Sequence, residues 1–446
     1  MNRSIIKVLS ILLLILPFGV AAQTAKTVTI KGVLKNFGDQ MKVEDMSDLQ
    51  YLATPTAGRI VTPDAEGKFQ ITFKLSSPNY FRMGRSILYL SPGDNLIVSL
   101  DNSNPLIADF NGKGSTANMF LRATPFPKAG SYLEAGRNAK LTAKETIDFI
   151  LATADKRKKE LTLLKGVTLE FKRLETARIK ADTINSLLGG RIVGYRPKLT
   201  ADAGKIYGEE YEKLSEPILE KLQKNFVDFS LMKLVVYRDI VKHLLKNSTN
   251  QADIQKITDW QTASSIASSM NSVSDKTQLK TFEPKIAAIK TLRYQTVLKE
   301  RLAESLKFGK GDVAVDFTVI DTKGNPVNLS SLKGKVIYID MWATWCGPCY
   351  FEMPFFEKLK EKYKGNENIA FVSLSIDDEI EDWKKDVVKR KADGIQWLIN
   401  RNSLVDYNIT GVPRTIIIDK SFKIADLNAP VPSSKNTEII IEGLLK

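Results

Sequence analysis

Two cysteines at close spacing are the only thiols in this 446-residue chain. Cys346 and Cys349 enclose a Gly-Pro pair. Two thiols at this spacing can close a small disulfide with little movement of the backbone. Such a pair can exchange with the disulfides of other molecules, or it can supply part of a metal site. If the chain performs sulfur chemistry, it does so at this point.

The residues on either side predict a strand that leads into a helix. Residues 336–341 form a short apolar run rich in β-branched side chains, which is typical of a buried strand in the middle of a sheet. Pro348 suits a first helical turn, and apolar residues then recur at helical spacing. Cys346 should therefore lie beside free backbone N–H groups and the positive end of the helix dipole. We predict that its thiol pKa falls from about 8.5 toward neutrality or below, while Cys349 is better shielded and stays protonated.

Asp340 is the second candidate for chemistry. It stands near the end of the predicted strand, six residues before Cys346. An acid in apolar surroundings has a raised pKa, so Asp340 could pass a proton to or from Cys349. The alternative is an acid that caps a turn or pairs with a lysine, because structural ion pairs also perturb pKa values.

Metal and haem chemistry require residues that the chain does not offer. A structural zinc site needs four ligands, but the chain has no third cysteine and a single histidine, His243, far upstream. A covalent haem site would have histidine after the second cysteine, where this chain has Tyr350. A purely structural disulfide would close too small a loop to stabilise much. We predict a redox-active disulfide, with no metal and no cofactor.

These residues carry a resemblance to the thioredoxin superfamily, and the surrounding runs are similar to the TlpA/ResA-like periplasmic thiol–disulfide oxidoreductases. The similarity covers residues 309–446 and implies an α/β thioredoxin-like fold there. Val315 departs from the family, which usually has proline, and Arg414 would add a cation near the site. The matching residues are Asp340, Trp345-Cys346-Gly347-Pro348-Cys349, Pro354 and Gly411-Val412-Pro413, with the runs 314–317, 321–324 and 332–335.

The resemblance also implies roles for residues away from the cysteines. It implies a cis bond between Val412 and Pro413 that lies against the cysteines, so that the Val412 backbone pairs with an incoming substrate strand. Trp345, Val412 and Pro413 are the predicted substrate-binding residues, beside catalytic Cys346, Cys349 and Asp340. The alternative for Pro413 is a trans proline that begins an edge strand.

The N-terminus has the pattern of a secretory signal. Arg3 and Lys7 precede an apolar run at 8–16, and small residues at 20–22 form a cleavage site. The apolar run ends at Pro17, short of the roughly 20 residues needed to span a bilayer. We predict a signal peptide at 1–22, its cleavage and a periplasmic protein. An uncleaved anchor is the alternative.

Length, charge and pattern divide the rest of the chain. A chain of 446 residues is expected to form two or three domains. Residues 23–123 show short alternating strands and turn signals, which predict a small β-sandwich-like domain. They resemble the N-terminal β domain of Bacteroidetes envelope proteins and are expected to act as a spacer or docking module. Residues 131–308 have helical patterns, so the fold class is multidomain: all-β, helical, then α/β.

The net charge of +14 lies upstream of the redox domain. From residue 309 onward the chain has 19 basic and 20 acidic residues, against 46 and 31 before it. No basic motif interleaved with aromatic residues indicates nucleic-acid binding. The upstream excess favours acidic partners or anionic lipid.

We therefore predict a periplasmic thiol–disulfide oxidoreductase that reduces disulfides of envelope proteins and is recharged by a membrane thiol reductant. The Gly-Pro between the cysteines resembles reducing thioredoxins more than oxidising relatives. One alternative is a thiol peroxidase, although Thr344 lies only two residues before Cys346, which departs from the peroxidase pattern. Another is a non-enzymatic envelope protein that tethers partners. The substrate and the oligomeric state stay open.

Overall fold

The computed structural model describes residues 25–37, 40–54, 58–124, 130–247, 249–377, 380–399, 404, 406–407, 409 and 411–446. The predicted signal peptide at 1–22 and most of the segment between the first two predicted domains lie outside these residues. In chain order the described residues form two β-sheets, a run of helices, and a third sheet flanked by helices. The predicted multidomain fold class, with all-β, helical and α/β parts, is confirmed.

The N-terminal part is a sandwich of two four-stranded sheets with orders β4-β1-β7-β8 and β3-β2-β5-β6. Both sheets contribute to one apolar core, which includes Ile30, Phe81 and Leu96. In β7 every second side chain is buried, because alternate residues of a strand face opposite sides of a sheet. The strands are β1 Lys26–Lys35, β2 Met41–Asp45, β3 Arg59–Val61, β4 Lys68–Leu75, β5 Asn79–Met83, β6 Ser86–Leu90, β7 Asn95–Asp101 and β8 Asp109–Lys113.

The turn at residues 91–94 connects the two sheets. β6 belongs to one sheet and β7 to the other, so this turn does not close a hairpin. The carboxylate of Asp94 accepts a hydrogen bond from the N–H of Ser91, and Gly93 has a φ of +87° that favours glycine.

The middle of the chain is helical. Thr142, Thr168 and Thr200 begin three long helices, and the side chain of each accepts a hydrogen bond from the backbone N–H three residues later. The helices are α1 Ser115–Leu121, α2 Ala143–Leu163, α3 Leu169–Gly189, α4 Ala201–Gln223, α5 Val235–Leu244, α6 Gln251–Asn271, α7 Lys276–Lys280, α8 Glu283–Ala287 and α9 Leu292–Ser305.

The helices and the sandwich share a core. Tyr80 and Tyr89 on β5 and β6 are buried among helical residues such as Phe171. Asn118 on α1 is fully buried and exchanges hydrogen bonds with the backbone N–H and C=O of Tyr89. The helical region is therefore packed against the outer face of one sheet.

The C-terminal part is a seven-stranded sheet with order β10-β9-β13-β12-β11-β14-β15. β11 lies between parallel β12 and antiparallel β14, and each of its residues is buried, as the apolar run predicts. Its elements are β9 Thr318–Asp321, β10 Pro326–Asn328, β11 Val336–Trp342, α10 Gly347–Lys362, β12 Ile369–Ser375, α11 Ile380–Arg390, β13 Ile395–Leu398, β14 Arg414–Ile418, β15 Ile424–Asp426 and α12 Lys435–Leu445.

Polar contacts join the helical region to this last sheet. The hydroxyl of Ser274 donates to the carboxylate of Asp426 at 2.6 Å, and Lys276 forms an ion pair with Asp312 at 2.5 Å. Both contacts involve the segment after α6. This segment therefore fixes the C-terminal domain against the helices.

Candidate active site

The two cysteines lie where β11 passes into α10. They form a disulfide with their Cα atoms 5.3 Å apart, and both are buried, with Cys346 4% and Cys349 1% exposed. Trp345, immediately before them, is 61% exposed. The sulfur pair therefore lies just beneath the surface at the start of a helix.

Cys346 is the N-cap of α10. Its backbone is extended, with φ −92° and ψ 91°, and its sulfur accepts the backbone N–H of Cys349 at 3.2 Å. An N-cap side chain satisfies one of the unpaired N–H groups of the first turn, and a negative sulfur at this position is stabilised by the helix dipole. This geometry agrees with the predicted helix start. The lowered thiol pKa of Cys346 stays a prediction.

Asp340 is a deeply buried acid in β11. Its side chain is 3% exposed, and its Oδ1 atom has no hydrogen-bond donor among the described residues. Burial, and next the negative charge of Glu352, raise the pKa of Asp340 to about 8. The predicted burial of Asp340 is confirmed, the direction of its pKa shift agrees with the prediction, and no lysine among the described residues forms an ion pair with it.

Glu352 is a second buried acid, which was not predicted from the sequence. It lies on α10 and is 7% exposed, and its carboxylate accepts the N–H and the hydroxyl of Ser433, each at 2.9 Å. The sequence could have indicated this residue, because residues three apart on a helix share a face and Glu352 follows Cys349 by three residues. Glu352 and Asp340 are thus two buried acids, and the charge of Glu352 disfavours ionisation of Asp340.

Asp377 holds the loop before the cysteines, and it was not predicted from the sequence either. Its carboxylate accepts the backbone N–H of Thr344 at 2.9 and 3.0 Å and the Thr344 hydroxyl at 2.7 Å. The hydroxyl of Ser375 donates to the other carboxylate oxygen at 2.7 Å. Asp377 follows β12, which is parallel to β11, so both strands end at the same edge of the sheet. This contact fixes the loop that carries Trp345.

The predicted substrate-binding residues are brought to the same region. The bond between Val412 and Pro413 is cis, as predicted. Val412 packs against the apolar cluster that contains both cysteines. The substrate-binding roles of Trp345, Val412 and Pro413 stay predictions.

Arg414 is engaged elsewhere. Its Nε donates to the carbonyl of Leu427 at 2.7 Å and its Nη1 to the carbonyl of Asn271 at 3.5 Å. Burial lowers its pKa to about 10. The expected cation near the substrate is instead committed to a contact between the redox domain and the helical region.

The residues that the structure describes include no cluster of three or more histidine, cysteine or acidic side chains that could hold a metal ion. The reactive groups of the site are one disulfide and two buried carboxyl groups. The arrangement can exchange disulfides and move protons.

Comparison with known proteins finds relatives of this C-terminal domain. The Redoxin family model matches residues 309–441. The thiol-disulfide oxidoreductase ResA of Bacillus cereus is 31% identical over 133 residues, which cover 29% of this chain and 76% of ResA. The thioredoxin-like protein YneN of Bacillus subtilis is 29% identical over 146 residues, which cover 32% of this chain and 84% of YneN.

Solved structures of two further proteins are similar to the same domain. The thioredoxin domain of a thiol-disulfide oxidoreductase from Bacteroides vulgatus is 29% identical, with a TM-score of 0.29, 31% of this chain and 99% of that chain covered. A thiol:disulfide interchange protein from Bacteroides sp. is 34% identical, with a TM-score of 0.25, 26% of this chain and 80% of that chain covered.

Proposed function

The chain belongs to the ResA-like thiol-disulfide oxidoreductases, and we propose that it reduces disulfides of envelope proteins in the periplasm. The observation that carries this proposal is the Cys346–Cys349 disulfide at the start of α10, together with a buried carboxyl whose pKa is raised to about 8. In this proposal residues 309–446 are the catalytic domain. Residues 23–123 and 131–308 form two further domains that support it.

Reduction of a substrate begins at the leading sulfur. The Cys346 thiolate attacks one sulfur of the substrate disulfide, forms a mixed disulfide and releases the first substrate thiol. Cys349 then loses its proton to the Asp340 carboxylate and attacks Cys346. This step releases the second substrate thiol and forms the enzyme disulfide. The substrate gains two electrons and the enzyme loses two.

Recharging reverses the proton transfer. A thiolate of the donor attacks Cys346, and Cys349 leaves as a thiolate that takes the proton of Asp340. A second thiolate of the donor then attacks the donor sulfur of this mixed disulfide, which releases Cys346 as a thiolate and leaves the donor as a disulfide. A group with a pKa near the ambient pH can act as acid in one half-reaction and as base in the other. The raised pKa of Asp340 supports both roles. The cycle consumes two electrons for each substrate disulfide, so a reductant must supply them. We propose that this reductant is a membrane thiol donor.

Substrate binding in this proposal uses the surface around Cys346. Trp345 offers an exposed aromatic face, and the backbone of Val412 before Pro413 pairs with an extended substrate segment. The loop held by Asp377 keeps Trp345 in place beside the sulfur. The substrates are proteins with accessible disulfides.

The proposed location rests on the sequence of the N-terminus. The basic residues, apolar run and small-residue site within residues 1–22 support export and cleavage. Within the described ranges, no helix has the length and apolar character required to cross a bilayer.

Insulin reduction driven by dithiothreitol tests the catalytic proposal. The unmodified protein should accelerate insulin precipitation, and Cys346→Ser should lower the rate to that of dithiothreitol alone. Ser421→Ala is the matched control, because it removes an exposed hydroxyl from the turn before β15 of the same domain and should leave the rate unchanged. Acceleration that survives in Cys346→Ser would refute the assignment.

Two measurements decide direction and substrate. A reduction potential of about −270 mV for the pair would support a reductase, whereas about −120 mV would indicate an oxidase. Cys349→Ser should accumulate mixed disulfides with its substrates, which can then be identified. Peroxide consumption faster than that of a simple dithiol would favour a peroxidase instead.

A further inference from the structure

The turn between α2 and α3 exposes two leucines far from the cysteines in sequence. Leu163 is 78% exposed and Leu169 is 87% exposed, and Lys165 lies between them, also exposed. Single exposed leucines are common on protein surfaces. Two on one short turn, with a lysine between them, place apolar and basic side chains together, which is the combination of groups that binds membrane interfaces.

This turn lies at the same end of the molecule as the start of the sandwich. A β-carbon placed on Gly166 would lie 3.8 Å from the hydroxyl of Thr116, at the start of α1. A β-carbon on Gly114 would lie 2.8 Å from the carboxylate of Asp94 in the turn before β7. The α2–α3 turn, the start of α1 and the turn before β7 are therefore neighbours.

The same end is basic. A β-carbon on Gly93 would lie 3.3 Å from the ammonium of Lys113 and 3.7 Å from the side chain of Lys26. Lys74 is paired in the sheet with Thr27, next to Lys26, and is exposed. Four exposed lysines, including Lys165, thus lie at the end of the molecule that carries the two leucines.

Two acids in this part of the molecule, Asp94 and Glu170, have other partners. Asp94 is buried and accepts the N–H of Ser91. Among the four lysines it interacts with Lys113. Glu170 forms an ion pair with Arg173 at 2.9 Å. Of these two carboxylates, only Asp94 offsets the charge of one of the four lysines, which is Lys113.

The chain also enters the described structure at this end. β1 begins at Lys26, and the 24 residues before Ala25 contain the apolar run 8–16. A segment of that character, while attached, would bring this end of the molecule toward a bilayer.

We propose that this surface, which consists of Leu163, Leu169, Lys26, Lys74, Lys113 and Lys165, binds the surface of an anionic lipid bilayer. The lysines are attracted to acidic headgroups and the two leucines enter the boundary between headgroups and acyl chains. Two exposed leucines beside four exposed lysines suit the boundary of an anionic bilayer, which offers apolar and acidic groups together. The bound enzyme would stay at the membrane after its N-terminal segment is removed.

Sedimentation with vesicles tests this proposal on protein that begins at Gln23, which keeps every described element. Binding to vesicles of phosphatidylglycerol and phosphatidylcholine in equal parts should exceed binding to phosphatidylcholine alone. Lys26→Glu with Lys165→Glu should weaken partitioning by about fivefold or more per lysine. Leu163→Ser with Leu169→Ser should weaken it by about tenfold or more.

Matched controls use exposed residues elsewhere. Leu141→Ser with Leu292→Ser removes two leucines that are 73% and 72% exposed, and Lys198→Glu with Lys205→Glu reverses two exposed lysines near the start of α4. Both controls should bind like the unmodified protein, and all variants should keep insulin reduction. Equal binding by the turn variants and the controls would overturn the proposal. The proposal would also be overturned if the protein did not bind the acidic vesicles. This holds whether or not it binds an acidic protein.

Discussion

Buried carboxylates occur in two regions of this molecule, and the two regions treat them differently. In the redox domain Asp340 and Glu352 are buried, and no cation among the described residues pairs with Asp340. In helix α3 Glu175 and Asp182 are as deeply buried, but Arg178 lies between them.

The α3 cluster is hydrogen-bonded from several directions. Arg178 donates to Asp182 at 2.8 Å and to Glu175 through Nε at 2.8 Å. The hydroxyl of Tyr80 on β5 donates to Glu175 at 2.6 Å, and that of Ser131 donates to Asp182 at 2.8 Å. A buried charge is tolerated when it is paired and hydrogen-bonded. This cluster therefore joins the sandwich to the helices and has a structural role.

The contrast indicates which buried acids are available for chemistry. Burial raises the pKa of Asp182 to about 6, and the charge of Arg178 opposes that rise. Burial and a second negative charge act in the same direction on Asp340, whose pKa reaches about 8. The uncompensated acid therefore has a pKa above neutral pH, whereas the nearby cation keeps the pKa of the compensated acid below it.

Asp340→Asn should produce the largest effect. The raised pKa means that the folded protein holds a proton that the unfolded chain loses above about pH 4, so stability falls as pH rises from about 4 to 8. Asparagine does not ionise, so the variant should not lose stability in this way as the pH rises. At pH 9 its free energy of unfolding should exceed that of the parent by on the order of 5 kcal/mol, while insulin reduction falls by about 10²-fold. Urea unfolding at pH 4 and pH 9 measures the first effect.

The control for that prediction is Asp321→Asn. Asp321 is the last residue of β9 and is partly exposed, and a hydrogen bond from the backbone N–H of Asn325 lowers its pKa. Asp321 therefore contributes to the free energy of unfolding with the opposite pH dependence. Its contribution is present above the pKa of the unfolded chain and is lost as the pH falls through the lower pKa of the folded state. Parallel stability curves for Asp340→Asn and the parent between pH 4 and pH 9 would contradict an uncompensated acid at position 340.

Arg178→Met should have the next largest effect, and it tests the compensated cluster. Loss of the guanidinium leaves Glu175 and Asp182 buried without this cation, which costs about 3 to 5 kcal/mol of unfolding free energy. The loss should shrink as the pH falls and Asp182 becomes protonated. Urea unfolding followed by circular dichroism measures it.

Arg173→Met provides the matched comparison on the same helix. Arg173 is 43% exposed and pairs with Glu170, so its removal should cost at most about 1 kcal/mol. Both variants should keep insulin reduction, since neither contacts the sulfur pair. Equal losses for the two arginines would show that burial does not distinguish them.

The sequence predicts the redox site where the informative residues are neighbours in the chain. The apolar run, Asp340 and the two cysteines lie within 14 residues, so the strand–helix junction and its buried acid follow from local patterns. Asp377 could not be identified in this way, because its contact with Thr344 exists only once β11 and β12 pair in parallel.

The compensated cluster escaped prediction for a different reason. Glu175, Arg178 and Asp182 have the spacing of ion pairs on an exposed helix face. They are buried because the outer face of β5, which carries Tyr80, packs against α3. The helical pattern predicts α3 itself, but only the packing of the helices on the sandwich determines which face of it is covered.

Glu352→Gln should have the smallest effect, and it separates the two causes of the raised pKa of Asp340. Removing the negative charge of Glu352 lowers that pKa, while the larger contribution of burial remains. The pH dependence of insulin reduction should move to lower pH, and the altered hydrogen bonds to Ser433 should cost about 1 kcal/mol.

Glu357→Gln is the control for this last shift. Glu357 lies on the exposed side of the same helix and pairs with Lys360 at 2.7 Å, so the pH profile should stay in place. A profile that Glu352→Gln leaves unmoved, or moves to higher pH, would mean that the two buried acids do not interact. Burial alone would then raise the pKa of Asp340. The buried acids of the two regions would differ only in whether an arginine is paired with them.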